Sequence, residues 1–369
     1  MFYICTSSII IVLAIVQFSR PENDFFASLR SAVNQYFEKE NKKQSGDFRL
    51  YLKTIVFVTA AIAVYAVLML VNLQWYIALP LAFLMGLLQA FIGFNVMHDA
   101  CHGSYSSKKK INDLFSLSMN ALGSDAFMWK QKHNIVHHTY TNIDGVDDDI
   151  QKAPLIRMAP TQPHVWAHRL QFLYIIPLYA VSTIFWLLLK DIQEYFAAKA
   201  YNVKVDKMKP KEHVIFWISK VLYIFIYIVV PIFVWGWFGW LMGFIAMHVA
   251  LGLTLSLVFQ LAHVVENVEF EHAHDEGVTK IESEWAVHQL KTTSDFAVQN
   301  KFVSWFLGGL NYQVEHHLFP RISHVHYPAI QQIVAQVCAE YNVAYHSFPT
   351  TRSALASHFR HMYKLGKNN

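Results

Sequence analysis

Long apolar runs broken by short polar connections set the pattern of this chain. A helix needs about 20 apolar residues to cross a bilayer. Four segments meet that need: Thr54–Asn72, Tyr76–Met97, Val214–Trp235 and Phe238–Phe259. A fifth run, Phe172–Leu189, is apolar but contains Pro177, and a sixth, Phe2–Val16 at its outer limits, is short. Ser7–Val16 has the character of a signal h-region with no basic residue before it. A short membrane anchor and an upstream start-codon artefact are the two readings of residues 1–17. Glu22–Phe37 carries the pattern of an amphipathic helix on the cytoplasmic surface.

Basic residues assign the sides. Lys42, Lys43, Arg49 and Lys53 precede the first span, Lys108–Lys110, Lys130 and Lys132 follow the second, and Lys190, Lys199, Lys204, Lys207, Lys209 and Lys211 precede Val214. The connections Leu73–Trp75 and Gly236–Trp237 carry neither Lys nor Arg. The spans therefore pair as two hairpins with their tips outward. Phe172–Leu189 is flanked on both sides by cytoplasm-type charge, Arg157 and Arg169 before it and the lysines after it. It is expected at the interface or under a cytoplasmic cap. A crossing there would put the last polar segment on the opposite side from the earlier ones.

The expected fold is an all-α integral membrane protein, four transmembrane helices in two hairpins with a cytoplasmic helical cap. Residues 1–53 form an N-terminal segment, 54–345 the membrane domain and 346–369 a basic tail, frayed from His358 onward. Before that tail, Tyr327, Ile330, Ile333, Val334, Val337, Cys338 and Tyr341 recur at helical spacing, with Pro328 at the start, and predict a helix packed on the cap.

Composition agrees with a membrane unit. Of 369 residues, 54% are hydrophobic and 15% charged, with a mean hydropathy of +0.26. The net charge of +4 is too mild to imply nucleic acid. Cys5, Cys101 and Cys338 are scattered and make no disulfide framework.

Three histidine clusters stand at the ends of the apolar runs: His98-Asp-Ala-Cys-His102, His133-Asn-Ile-Val-His137-His138 and Gln313-Val-Glu-His316-His317. Imidazole ligates iron, copper, nickel or zinc, and seven histidines in three short spans exceed what one metal needs. His98 and His102 share a helical face, and His133 and His137 repeat that spacing. His138 points about 100° away on a helix and could reach a second metal. His316 and His317 diverge for the same reason. Gln313, one turn before His317, is a weaker candidate through its carbonyl oxygen or a water. His263, just past the fourth span, lies at the depth expected for His98.

The remaining polar residues read more plainly. His248, mid-span, is expected as a neutral histidine bonded to a neighbouring helix, and His288 as a group behind the ligands. His324, His326, His346, His358 and His361 are expected on the surface or in the cap. Asp99 or Glu315 is expected to accept an N–H from a metal-bound imidazole, Asp147–Asp149 to be a solvated loop, and Cys101 to face away from His98 and His102. Trp129, Tyr140, Trp285, Phe296 and Trp305 are aromatics that either line a tunnel or simply pack.

Zinc closes with four ligands and does no redox work. Two irons suit oxygen activation on an apolar substrate. The chain holds no Cys-x-x-Cys-His, no His-Pro-Gly-Gly and no dinucleotide fingerprint, so electrons must come from outside.

The three clusters, with Trp129-Lys-Gln-Lys-His133 through Asn142 and Gly308-Gly-Leu-Asn-Tyr-Gln313 through Pro320, resemble the membrane fatty acid desaturases from about Phe18 to Tyr345. The similarity is strongest to the front-end and linoleoyl-CoA-type branch, where Gln replaces the first His of the last box. The resemblance implies a four-span fold with a cytoplasmic cap and a di-iron centre. His98, His102, His133, His137, His138, His316 and His317 carry over as ligands, with His263 as the extra histidine and Gln313 as a candidate. It implies O2 and two electrons, a cis double bond in an acyl-CoA or acyl-lipid chain, and a bacterial inner-membrane location with the site on the cytoplasmic face. No fused cytochrome b5 domain is seen, so a ferredoxin, a rubredoxin or cytochrome b5 with its reductase is implied as donor. A hydroxylase, ketolase or acetylenase could use the same scaffold. A metal carrier or haem-binding electron-transfer protein is the alternative from a different class.

Overall fold

The computed structural model describes residues 15–367 apart from 22, 153, 201, 202, 205, 275 and 276. The anchor and artefact readings of the N-terminus fall almost wholly outside the described residues. Within them, Ile15–Phe18 is a strand paired in parallel with Val278–Ile281. The amphipathic helix follows as α1 (Phe25–Lys39), burying Phe25, Leu29, Val33 and Phe37 at four-residue spacing. These residues pack on Ile330, Val334 and Val337 of a later helix.

The first apolar helix, α2 (Phe48–Leu70), starts earlier than its apolar pattern, because the Asp47 side chain caps it by accepting from the Arg49 N–H at 2.9 Å. The early start draws Lys53 into the helix, where it is 5% exposed and donates to Asn95 Oδ1 at 2.9 Å. Next come α3 (Trp75–Ile92), a π-helical turn at Gly93–Met97, and α4 (His98–His102) as one continuous rod.

By length and composition, four continuous stretches among the described residues could cross a membrane: 48–70, 75–102, 166–197 and 210–263. The last is folded on itself. It comprises α5 (Pro210–Ile224), a π turn at Phe225–Val229, and α6 (Val230–His263), in which Gly236 has φ 69° and ψ 172°. Only glycine takes that conformation readily. In a straight helix, Tyr223 and His248 would stand roughly 37 Å apart, yet Tyr223 Oη lies 3.0 Å from His248 Nε2. Trp240 also donates to the Tyr227 carbonyl at 2.9 Å. The two arms are therefore antiparallel, with the turn at the expected tip. The Trp235 indole donates to the Leu68 carbonyl at 2.8 Å and ties the hairpin tips together.

The outward faces are apolar. Leu70 is 83% exposed, Phe233 85% and Phe238 74%, which suits contact with lipid tails rather than water. Inside, α3 lies against the second arm of the hairpin. A Cβ added at Gly86 would sit 2.0 Å from the Met247 carbonyl oxygen, so only glycine allows this approach.

The 166–197 stretch behaves differently despite its length. Its helix Gln171–Phe185 is hydrogen-bonded at its start, through Gln171, to the backbones of Arg157 and Met362, and the Lys190 ammonium beyond its far end pairs with Asp148. Both ends thus reach the same cap. Between them Thr183 meets His248 Nδ1 at 2.9 Å and Ser182 meets Ser256 at 3.1 Å, so the helix crosses the second hairpin arm.

The chain's end departs from expectation. Thr351–Lys367 is a helix that buries Ala354, His358, Met362 and Leu365. Its basic residues lie on the outer face, where Arg360 and Lys364 pair with Glu266.

Candidate metal centre

Two π-helical turns deliver histidines to the site, one before His98 and one over Gln131–His137. π turns are frequent at functional sites, although Phe225–Val229 forms one away from the histidines. In a π turn the backbone bonds run from i to i+5, so one turn takes slightly more than four residues and residues four apart still lie near one face. His133 and His137 stay stacked, with ring centroids 5.2 Å apart, and their ligand atoms lie within 4.8 Å of each other and of exposed Asp149, yet each also belongs to a different histidine group. His133 joins His98, His102 and His316, whose ligand atoms all lie within 4.8 Å of one another. His137 joins His263 and His317 within the same limit. His138 stands between the groups, its ring centroid 4.8 Å from His102 and 4.5 Å from both His316 and His317. The adjacent pair His316 and His317 falls into different clusters, as their divergence on a helix predicts.

The hydrogen bonds behind these rings orient them. His137 Nδ1 lies 3.1 Å from Asp147, His316 Nδ1 3.1 Å from the Tyr327 hydroxyl, and His317 Nδ1 2.9 Å from Gln289 Oε1. His263 Nδ1 faces the Thr292 carbonyl at 3.4 Å. The opposite nitrogens point inward without partners. The Nε2 atoms of His98, His102, His137, His263, His316 and His317, and Nδ1 of His138, are buried with no hydrogen-bond partner among the described residues. His133 Nε2 has only His138 Nε2, at 3.3 Å. Buried polar atoms are rarely left unpaired. So many imidazole nitrogens converging on two points fit a pair of borderline metal ions such as iron.

The charge state agrees. Burial, then the neighbouring imidazoles, holds His133, His138, His316 and His317 well below the usual histidine range, so they are neutral with free lone pairs. Burial also opposes charge on His137, but Asp147 outweighs it and lifts this histidine to about 9. A cation on its Nε2 would take the place of that proton.

Several expectations change here. Asp147 and Asp148 are buried, and only Asp149 of that run is exposed. Asp99 does not back a ligand imidazole. It holds His324 Nδ1 at 3.0 Å and accepts from Ser323, while His324 Nε2 meets Lys53. Of the two places expected for them, surface or cap, His324, His326 and His358 take the cap, where all three are buried. Glu315 turns away to the Asp295–Tyr345 pair. There burial pushes Asp295 up to about 6 and, with Asp295 beside it, raises Glu315 further, so the group retains a proton. Gln313 is buried with its amide nitrogen unpaired. Among the described residues His288 makes no hydrogen bond to a candidate ligand; its Nε2 meets the Thr141 carbonyl at 2.9 Å. Cys101 packs with Met97, Met119, Ala126 and Trp129. Sequence reasoning missed Asp147, Gln289 and Tyr327 as ring-orienting groups, since their partnerships are not encoded in local spacing.

An apolar slot reaches the first cluster. It is narrow, with about 50 Å³ of room for water, and part of it is open to the outside. His98, Trp129 and Phe259 line its end at the histidines, and Gln89, Thr183 and Leu251 its far end. Trp129 also stacks on His133, with ring centroids 4.2 Å apart. The other aromatics pack elsewhere: Tyr140 on Phe18, Trp285 on Phe26, Trp305 on Phe57, and Phe296 beside Leu261 and Ala354.

The family described as "Fatty acid desaturase" matches residues 73–349. An acyl-lipid (8-3)-desaturase of Physcomitrium patens is 36% identical over 362 residues, covering 96% of this chain and 74% of its own. An sn-1 linoleoyl-lipid 6-desaturase of Synechocystis sp. is 34% identical over 344 residues, covering 92% of this chain and 94% of its own. A probable Delta(5) fatty acid desaturase of Dictyostelium discoideum is 30% identical, covering 94% of this chain and 77% of its own.

Proposed function

The chain belongs to the fatty acid desaturase family, and from that premise we propose that it is a front-end acyl-lipid desaturase, placing a cis double bond between the carboxyl end and an existing double bond of a lipid-linked chain. The observation that carries this reading is the apolar slot ending on His98 and Trp129, directly against a double cluster of inward-facing imidazoles. The printed activities of the Synechocystis and Physcomitrium proteins support the substrate class.

His98, His102, His133 and His316 are proposed to hold one iron, and His137, His263 and His317 the other, with His138 between them and Gln313 as a candidate for a remaining position. Iron bound there supplies the activation of O2, with two electrons from outside, that removal of hydrogen from neighbouring methylenes requires. The protein's own part is positional. Met97, Leu255 and Phe259 wall the slot with apolar surface and keep water from the chain. Trp129, stacked on His133, fixes the height at which a methylene pair passes His98. Asp147, Gln289 and Tyr327 hold the imidazole tautomers that aim lone pairs inward.

We further propose a multi-pass arrangement with α2, α3 and the two arms of the second hairpin crossing a bacterial inner membrane and the cap on the cytoplasmic face. The basic loops beside the cap support that side. A separate electron carrier, a ferredoxin, a rubredoxin or cytochrome b5, is implied as donor.

Expression with a competent donor in a host fed defined unsaturated acids, followed by gas chromatography–mass spectrometry of the lipids, tests the reading. The expected product has lost two hydrogens relative to its precursor and carries its new bond on the carboxyl side. Gain of oxygen instead would turn the reading toward a hydroxylase, and metal analysis of pure protein showing no iron would remove its chemical basis.

A further inference from the structure

Beyond the far end of the slot lies a second void. It is a groove of about 390 Å³ near the hairpin tips, lined by Met85, Phe244 and Met247 and, further out, by Trp75, Trp235 and Trp240. Met85 stands one helical turn before Gln89, and Met247 one turn before Leu251, so the two voids follow each other along the same pair of helices. What separates them is a small polar layer. Gln89 lines the slot and Tyr227 lines the groove, with the Tyr227 hydroxyl beside the Gln89 amide but outside hydrogen-bond geometry. Behind them Tyr227 packs on Tyr223, which meets His248, which meets Thr183.

The members of this layer differ in how firmly they are held. His248 is fixed by hydrogen bonds on both ring nitrogens. Gln89 is 1% exposed, yet neither its amide nitrogen nor its oxygen makes a hydrogen bond. An unpaired buried amide is costly, and the Tyr227 hydroxyl, the polar group beside it, does not fix it by a well-formed hydrogen bond. It is the one member of the partition that faces the slot and is free to yield.

We propose that Gln89 is the deep stop of the acyl slot and sets the longest chain whose methylenes still register against His98, with the groove beyond it as overflow space for longer tails. Nine residues separate Gln89 from His98, about 13 Å of helix, or on the order of ten chain carbons at roughly 1.5 Å per bond. That is the scale of the tail beyond a bond made near the carboxyl end. The inference rests on the desaturase reading above.

The test uses the full chain in membranes with a competent donor, fed palmitoleic, linoleic and eicosadienoic acids together. Gln89→Ala is expected to raise product from the longest acid relative to the shortest by at least about tenfold. Gln89→Met keeps the bulk, removes the amide, and should leave the ratio within about twofold of the parent. Leu251→Phe, which narrows the same level from the facing helix, should shift the ratio toward the shortest acid, and it serves if position 89 tolerates no change. An unaltered profile in Gln89→Ala and Leu251→Phe, with total activity retained, overturns the stop. So does a shift in Gln89→Met as large as that in Gln89→Ala, which would mean that the amide reads the chain and its size does not. If the parent makes no product, the desaturase reading fails. Displacement of cis-parinaric acid from nanodisc-embedded protein by the same acids then still reads the length limit, and an identical limit in the parent and Gln89→Ala overturns the stop.

Discussion

The two histidine clusters are built from the same side chain on opposite principles. The first, around His98, His102, His133 and His316, grows out of the apolar α3–α4 rod and looks onto the slot. The groups that steady its rings are an indole and a hydroxyl: Trp129 stacks on His133, and Tyr327 meets His316. The second, around His137, His263 and His317, looks onto the polar interior of the cap. Its rings are steadied by a carboxylate, an amide and a carbonyl, with exposed Asp149 only 3.4 Å from His137. One cluster borders the apolar slot and the other the charged interior of the cap. A cation in the second would meet the Asp147 carboxylate directly behind His137, whereas the carboxylate beside the first, Asp99 next to His98, is already hydrogen-bonded to His324 and Ser323.

Removing a ligand gives the largest contrast. His316→Ala and His317→Ala change neighbouring residues that serve different clusters. Each should lower desaturation more than about a hundredfold, since losing only the group behind a ligand already costs 10- to 100-fold. Iron analysis of the purified variants separates them: each should lose the metal of its own cluster and retain the other's. Loss of both metals from either variant would show one indivisible site and dissolve the comparison.

Asp147→Asn probes the charge difference directly. The carboxylate lifts His137 to about 9 by favouring positive charge on the ring, and the same preference should favour a bound cation. Its neutral isostere keeps the shape, so metal affinity at the second cluster should fall roughly 10- to 100-fold while the first is little changed. Chelator titration followed by iron counting resolves the two. Equal weakening of both would mean that Asp147 acts on the cap as a whole.

The sequence made the apolar runs, the charged loops and the three histidine boxes plain, because each is a local pattern. What it concealed was of two kinds. The place of His133 and His137, stacked on each other yet each within a different histidine cluster, depends on rings supplied by other segments, which local spacing does not show. Asp147, Asp148 and His324 look like solvated residues by type. They are buried because each meets a partner: Asp147 meets His137 across a turn of ten residues, and Asp148 and His324 meet the more remote Lys190 and the pair Lys53 and Asp99. The C-terminal helix is a different case. Ala354, His358, Met362 and Leu365 recur at helical spacing and were legible, but the basic residues between them dominated the reading.

The smallest effect is expected from Tyr327→Phe. Tyr327 is 1% exposed, and its ring packs in the cluster that joins α1 to the cap. Phenylalanine keeps that ring and removes only the hydroxyl lying 3.1 Å from His316 Nδ1. A neutral hydrogen bond contributes about 0.5–1.5 kcal/mol, so metal affinity at the first cluster should fall by roughly two- to tenfold, less than Asp147→Asn costs the second. The loss should appear as faster iron release from the first cluster, with fold stability and acyl-length preference nearly unchanged, because the slot wall at Trp129 and Phe259 is untouched. A loss as large as that of Asp147→Asn would mean that the first cluster depends on a polar support as heavily as the second does, and that the asymmetry lies in position relative to the slot alone.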